Sequence, residues 1–295
     1  MPVIDERVSV SLRKILLATD FSVAAQKAAS YARSVARRYG SKVEMAYVLD
    51  PTSVESYEEA IAGVTIGDQR KVAKETLSSL AQAFQASGVD AEAKSLEGHQ
   101  PAKQLLSLAR EDGIDLIVVG TEAKSGLERL VLGSTAEQLL RAAICPVLTV
   151  GPRVTSAADE PFHPQGILYA TDLAPDSAKS AVFALSFAEE HGSHLYLCHV
   201  VDDPLASPEQ RRHQFHAFKA KLRRLVPDDT YDLCSPQCVV TEGEATGEIL
   251  KLAEGLNADL IVVGAHRRSG WRSHLERGVV PSLLAEATCP VLSVC

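Results

Sequence analysis

Asp115-Leu116-Ile117-Val118-Val119-Gly120 recurs residue for residue as Asp259-Leu260-Ile261-Val262-Val263-Gly264. A short unbroken apolar run closed by glycine is the pattern of a strand buried on both faces, as in a parallel sheet covered by helices. Working outward, three more blocks recur in the same order. Lys14-Ile15-Leu16-Leu17-Ala18-Thr19-Asp20 returns as Gly166-Ile167-Leu168-Tyr169-Ala170-Thr171-Asp172, and Tyr47-Val48-Leu49-Asp50 returns as His199-Val200-Val201-Asp202. Cys145-Pro146-Val147-Leu148 returns as Cys289-Pro290-Val291-Leu292. The offset is 152 in the early blocks and 144 in the late ones, so the second copy is 8 residues shorter in its middle. Two copies at so long a period mean a duplicated domain, not a solenoid.

The expected division is a first domain at 1–151, a linker at 152–164 rich in Pro, Ser, Ala and acid, and a second domain at 165–295. The 295 residues suffice for two cores. With 46% hydrophobic and 23% charged residues the chain reads as globular. A net charge of −8 argues against a nucleic-acid coat or a polybasic membrane anchor. Met1–Arg7 lacks the basic-then-apolar pattern of a secretory leader, and no apolar run reaches the roughly 18 residues of a membrane span. Six cysteines are too few for a disulfide framework. The expectation is a cytoplasmic protein with no nucleic-acid and no membrane partner.

Within the first copy, strands are predicted at Lys14–Thr19, Val43–Leu49, Ala91–Leu96, Asp115–Val119 and Pro146–Val150. Helices are predicted at Ser22–Tyr39, Asp68–Ala86, Pro101–Arg110 and Ser134–Ala143. The alternation means a doubly wound, parallel α/β sheet in each copy. Pro51–Gly67 shows no periodicity and is expected to be a mobile excursion.

In such sheets ligands sit beyond the carboxyl ends of strands, where strand order reverses. Asp20, Val48 and Gly120 fall at such ends. Gly120-x-x-Ala123 is followed by nine residues and then Gly133-Ser134-Thr135, which opens a helix. Glycines at 120 and 133 would let backbone approach an anion, with Ser134 capping a helix whose N–H groups face it. Asp20 would accept from a ribose hydroxyl or an adenine amino group. From the glycines alone, two ordinary strand-to-helix turns explain the pattern equally well.

Taken together the blocks resemble the universal stress proteins. Their signature is Gly-x-x-Gly, nine residues, then Gly-Ser/Thr, with a first strand ending in Thr-Asp and a closing Cys/Lys-Pro-Val-Leu strand. The resemblance covers both halves. It implies two tandem five-stranded sheets of order 3-2-1-4-5, of Rossmann-like adenine-nucleotide-binding type, and ATP, ADP or AMP as ligand. Carried over by position, the nucleotide would meet Ala18, Thr19, Asp20, Val48, Gly120, Ala123, Gly133, Ser134 and Thr135. Ala123 departs from the family's second glycine. The second half keeps Asp172, Val200 and Gly264 as weaker candidates but carries Arg267, Arg277 and Gly278 where the family has Gly, Gly and Ser. Its site is expected to be degenerate. The resemblance also implies that the fifth strands pair the two halves as a pseudo-dimer, with a homodimer of chains beyond that.

Other constellations are weaker. His266–Arg277 is the most basic stretch of an acidic chain, suited either to an anion or to a solvated loop. His213, His216, Cys198, His199, Cys234 and Cys238 match no zinc spacing, so no metal site is expected. No nucleophile–base–acid set or Walker motif is visible. The expected function is a stress-response binding module that is not an enzyme. The alternatives are a slow ATPase or hydrolase using the same site, and a nucleotide-free protein–protein interaction module.

Overall fold

The computed structural model describes residues 10–51, 65–122, 133–155, 162–174, 178–202, 207–227, 234, 236–264 and 278–294. The first half runs β1 (Lys14–Ala18), α1 (Val23–Tyr39), β2 (Lys42–Leu49), α2 (Ile66–Ala86), β3 (Ala91–Glu97), α3 (Pro101–Glu111), β4 (Leu116–Gly120), α4 (Ser134–Ala142) and β5 (Val147–Val150). The second half runs β6 (Gly166–Ala170), α5 (Ala178–His191), β7 (His194–Val201), α6 (Pro208–Arg223), β8 (Gln237–Glu242), α7 (Ala245–Gly255), β9 (Leu260–Gly264), α8 (Val279–Glu286) and β10 (Val291–Val294).

Each half has the expected strand order, but the two sheets are one. The ten strands run β3-β2-β1-β4-β5-β10-β9-β6-β7-β8. All neighbours are parallel except β5 and β10, which pair antiparallel. Leu148 lies opposite Leu292, Thr149 opposite Val291 and Val147 opposite Ser293. Leu148 and Leu292 are equivalents under the 144-residue offset, and the two flanking pairs map onto each other under it, so a local twofold passes between Leu148 and Leu292.

Alternation along the strands builds two cores. Ile15 and Leu17 join one, packed under α1, α2, α5 and α6; Leu16 and Ala18 join the other, under α3, α4, α7 and α8. Helix α1 presents Ala24, Ala25, Ala28, Ala29, Ala32 and Ala36 to the sheet. Ser22 caps its start by accepting from the Ala25 N–H, and Gly40 ends it in the left-handed region at φ 65°. Helix α2 starts at Ile66, two residues before the expected Asp68, because Thr65 and Asp68 form a reciprocal capping box. The remainder of the expected 51–67 excursion, from 52 to 64, lies outside the described residues.

The halves also meet through helices. Arg38 Nε stands 2.8 Å from Glu190 Oε1. The Tyr39 ring lies 5.6 Å from Phe187 and 6.2 Å from His191. The described ends of the 152–164 segment are fastened to α1. Lys27 Nζ donates to the Val154 carbonyl at 3.0 Å. The Phe162 N–H donates to Ser34 Oγ at 2.9 Å, and its ring meets Tyr31 edge-on at 5.0 Å.

His191 is 5% exposed and neither ring nitrogen has a hydrogen-bond partner. Burial, then the charges of Arg38 and His163, hold its pKa down to about 4 from 6.5. Below pH 6.5 the unfolded chain takes up a proton that the folded chain refuses until about pH 4. Folding stability is therefore expected to fall across that window by up to about 3 kcal/mol. His191→Phe should flatten this acid limb, as read from urea midpoints between pH 7.5 and 4.5.

Glu44, 2% exposed on β2, is unique to the first half; Tyr196 stands at its equivalent. Burial and a shared hydrogen bond with Asp112 push its carboxyl pKa up. The folded state thus keeps this proton longer than the unfolded state, and stability declines as pH rises through the raised pKa. Glu44→Gln should raise the thermal midpoint at pH 8 and leave it nearly unchanged at pH 4. An unaltered midpoint at pH 8 would contradict this assignment.

Candidate functional site

Strand β1 lies between β2 and β4, so strand order reverses at its carboxyl end. Ala18 is level with Ala46 and Val119. Thr19, just past the strand, still donates its N–H to the Ala46 carbonyl at 3.0 Å. Asp20 follows, exposed.

The Thr-Asp pair shapes the turn. Thr19 Oγ1 accepts from the Phe21 N–H at 3.1 Å, and Asp20 Oδ1 accepts from the Ser22 N–H at 3.0 Å. Between them Phe21 is held at φ 64°, a left-handed conformation that disfavours a large side chain by about 1 kcal/mol or more. The second half repeats the device. Thr171 Oγ1 accepts from Leu173, Asp172 Oδ1 accepts from Ala174, and Leu173 has φ 60°. The recurrence of Thr-Asp thus has a conformational cause, independent of any ligand. Among the described residues, Asp20 Oδ2 has no partner and points from an exposed residue at the switch point.

Val48 and Tyr47 leave β2 on opposite faces. Val48 packs against the α3–α4 core, half-buried, while Tyr47 stacks on Phe21 at 4.8 Å with planes 21° apart. The second half keeps Val200 in the place of Val48. His199 replaces Tyr47, packs on Phe218 at 4.3 Å, and its Nδ1 is 2.9 Å from the Thr171 carbonyl.

The two glycines differ in cause. Gly120 ends β4 against the start of α1, where an added Cβ would stand 2.2 Å from the Ala24 carbonyl oxygen. Its small size serves helix–strand packing. Gly133 is the N-cap of α4 at φ −59°, and a Cβ there would meet nothing within 4 Å among the described residues. Its φ does not require glycine, and among the described residues no packing contact does. The expected cap also needs correction: Ser134 is the first helical residue, not the cap, and α4 has no side-chain cap bond. A serine inside the first turn has φ and ψ that aim its hydroxyl away from the N–H groups it would have to reach. Those groups, with exposed Ser134 and half-buried Thr135 beside them, have no competing side-chain cap. Ala123 lies outside the described residues.

In the second half Gly264 ends β9, and α8 starts one position later than α4, with Gly278 as its N-cap at φ −83°. Arg267, Arg277 and the rest of the arginine stretch lie outside the described residues. A difference not anticipated from sequence lies on the neighbouring helix. Gln100 precedes α3 without a side-chain cap bond, whereas Glu244 caps α7, accepting from Thr246 N–H at 2.9 Å and Gly247 N–H at 2.6 Å. The Gly247 bond above all holds the Glu244 carboxyl below the usual range. Glu248 stands beside it, accepting from Thr241 and Lys251. The second half thus brings its own carboxylates to its strand ends. An acid just before a helical run was the available signal.

Cys198 is fully buried, on the sheet face opposite His199, and burial pushes its thiol up to about 12. His213 and His216 are exposed on α6. Among the described residues no group of three His, Cys, Asp or Glu is suited to a metal ion, and no helix is long and apolar enough to cross a membrane.

The sequence profile of the Universal stress protein family matches residues 11–151 and again 165–294. A universal stress protein of Methanocaldococcus jannaschii is 34% identical over 139 residues, covering 47% of this chain and 81% of that protein. The crystal structure of a universal stress protein from Archaeoglobus fulgidus superposes with TM-score 0.68 at 19% identity, covering 95% of this chain and 97% of the other. At that identity the likeness speaks to the fold, both halves included.

The two glycines should behave differently on substitution. Gly120→Ala forces backbone against backbone and is expected to destabilise the chain by about 1–3 kcal/mol. Gly133→Ala should shift the urea midpoint by less than about 0.5 kcal/mol equivalent. Equal losses from both would refute the packing distinction.

Proposed function

The chain belongs to the universal stress protein family, and we propose that it binds one adenine nucleotide, in its first half, and acts as a regulatory or protective binding module in the stress response. ATP, ADP and AMP all fit this reading. The observation that carries it is the contrast between the halves. In the first, Asp20 Oδ2 and an α4 start without a side-chain cap sit at the same end of the sheet, next to a Gly133 whose size no contact among the described residues requires. In the second, α8 likewise starts on a glycine without a side-chain cap bond, but Glu244 at the start of α7, where the first half has Gln100 before α3, brings a negative charge to that end of the sheet. A polyphosphate is drawn to unopposed N–H groups and repelled by carboxylates.

In this reading Ala18, Thr19 and Val48 lie beside the base, Asp20 holds the ribose, and Gly120, Ala123, Gly133, Ser134 and Thr135 line the phosphates. Asp172, Val200 and Gly264 take no tightly bound nucleotide. The working unit is the pair of domains 1–151 and 165–295, joined by 152–164, in the cytoplasm. A homodimer of chains belongs to the same proposal. Since β5 and β10 are used on each other, it would form through other surfaces. The role is binding, not turnover.

Isothermal titration of nucleotide-stripped protein with ATP tests this. One site per chain is expected. Gly133→Val should abolish it while leaving the circular dichroism spectrum unchanged, and Glu244→Gln should leave it unaffected. Two equivalent sites, or heat that survives Gly133→Val, would assign the nucleotide elsewhere.

A further inference from the structure

The halves meet across a local twofold, so a surface position near the axis faces its own equivalent in the other half. In a pair of identical domains such a position puts each residue against its copy. Here two of the self-facing positions on the helices carry unlike residues. Arg38 and Glu190 are equivalents under the 152-residue offset, and so are Tyr39 and His191. Both pairs are in contact. Arg38 Nε meets Glu190 Oε1 at 2.8 Å, its Nη2 also donates to the Glu190 carbonyl, and the Tyr39 and His191 rings lie 6.2 Å apart.

The surrounding contacts confirm the twofold, because they are reciprocal. The Val10 N–H, on the segment entering the first half, donates to Ser186 Oγ of the second at 3.0 Å. The Phe162 N–H, its equivalent on the segment entering the second half, donates to Ser34 Oγ of the first at 2.9 Å. Each half lends its entering segment to the other's first helix. These exchanged bonds, like Leu148 on Leu292, are of one kind in both directions and would suit two copies of the same half equally well.

We infer that Arg38 and Glu190 make the two halves select each other over copies of themselves, so that the β5–β10 junction forms between unlike halves. Two first halves brought together would set Arg38 against a second Arg38. Two second halves would set Glu190 against a second Glu190 and face two His191 rings, neither of which has a hydrogen-bond partner even here. Only the mixed pairing places opposite charges at the axis. The pair is roughly half exposed, so its attraction is modest, and discrimination comes largely from the like-charge contacts it forbids.

The like-charge collisions can be built inside the intact chain. Arg38→Glu puts Glu against Glu190, as two second halves would; Glu190→Arg puts Arg against Arg38, as two first halves would. Amide hydrogen exchange followed by mass spectrometry on peptides spanning 147–150 and 291–294 reads opening of the junction. Each single variant should exchange there about three- to tenfold faster than the native chain, and the double variant R38E/E190R should return to within about twofold. About 1 M salt should shrink the differences. Native exchange rates in both singles, or a double variant no slower than the faster single, would overturn the inference.

Discussion

The pairing of β5 with β10 is the constraint on which the rest of the molecule depends. Either strand alone would end its half's sheet with a row of unpaired N–H and C=O groups on an apolar segment, the least tolerable kind of edge. Set antiparallel, they satisfy each other and merge two sheets into one of ten strands. The same pairing fixes the local twofold, brings the ends of α1 and α5 together, and points the carboxyl ends of the two halves in opposite directions. The outer edges are then β3 and β8. Strand β3 carries Glu92, Lys94 and Glu97, charges that discourage further pairing.

Close approach in this fold rests on small residues at a few places. The alanine face of α1 lies on the sheet, and Gly120 leaves room for the Ala24 carbonyl. Gly151 does the same between the halves, since a Cβ there would stand 2.4 Å from the Leu284 carbonyl oxygen of α8. Interiors packed to crystal-like density have no slack for such an atom. These glycines are therefore architectural, and the glycine at 133 stands apart because nothing around it among the described residues explains its size.

Duplication separates what the fold needs from what each half does. Both halves retain the Thr-Asp turn and its strained neighbour, Phe21 or Leu173. Both also tie the start of their second helix to the edge strand with an ion pair, Arg70 to Glu97 and Arg211 to Glu242. The halves differ at the carboxyl ends of their strands: Tyr47 against His199, Gln100 against Glu244. Glu44, buried beside Asp112 only in the first half, is a further divergence with an energetic consequence and no counterpart across the axis.

Much of this was legible in the linear chain. Runs such as Leu116–Val119 require burial on both faces, and their ordered recurrence means two doubly wound halves; local patterning decides both because side-chain period and burial are coupled. The family resemblance supplied the strand order and the candidate nucleotide residues. Tertiary structure alone decided why Gly120 is a glycine, that Gly133 and not Ser134 holds the cap position, and that the ends of the 152–164 segment are fastened to α1. It also decided that His191 is buried without a hydrogen-bond partner and that Arg38 finds Glu190. Each of these depends on a neighbour nearly a hundred or more residues away or on the exact phase of a helix start, and neither distance nor phase is written in local sequence.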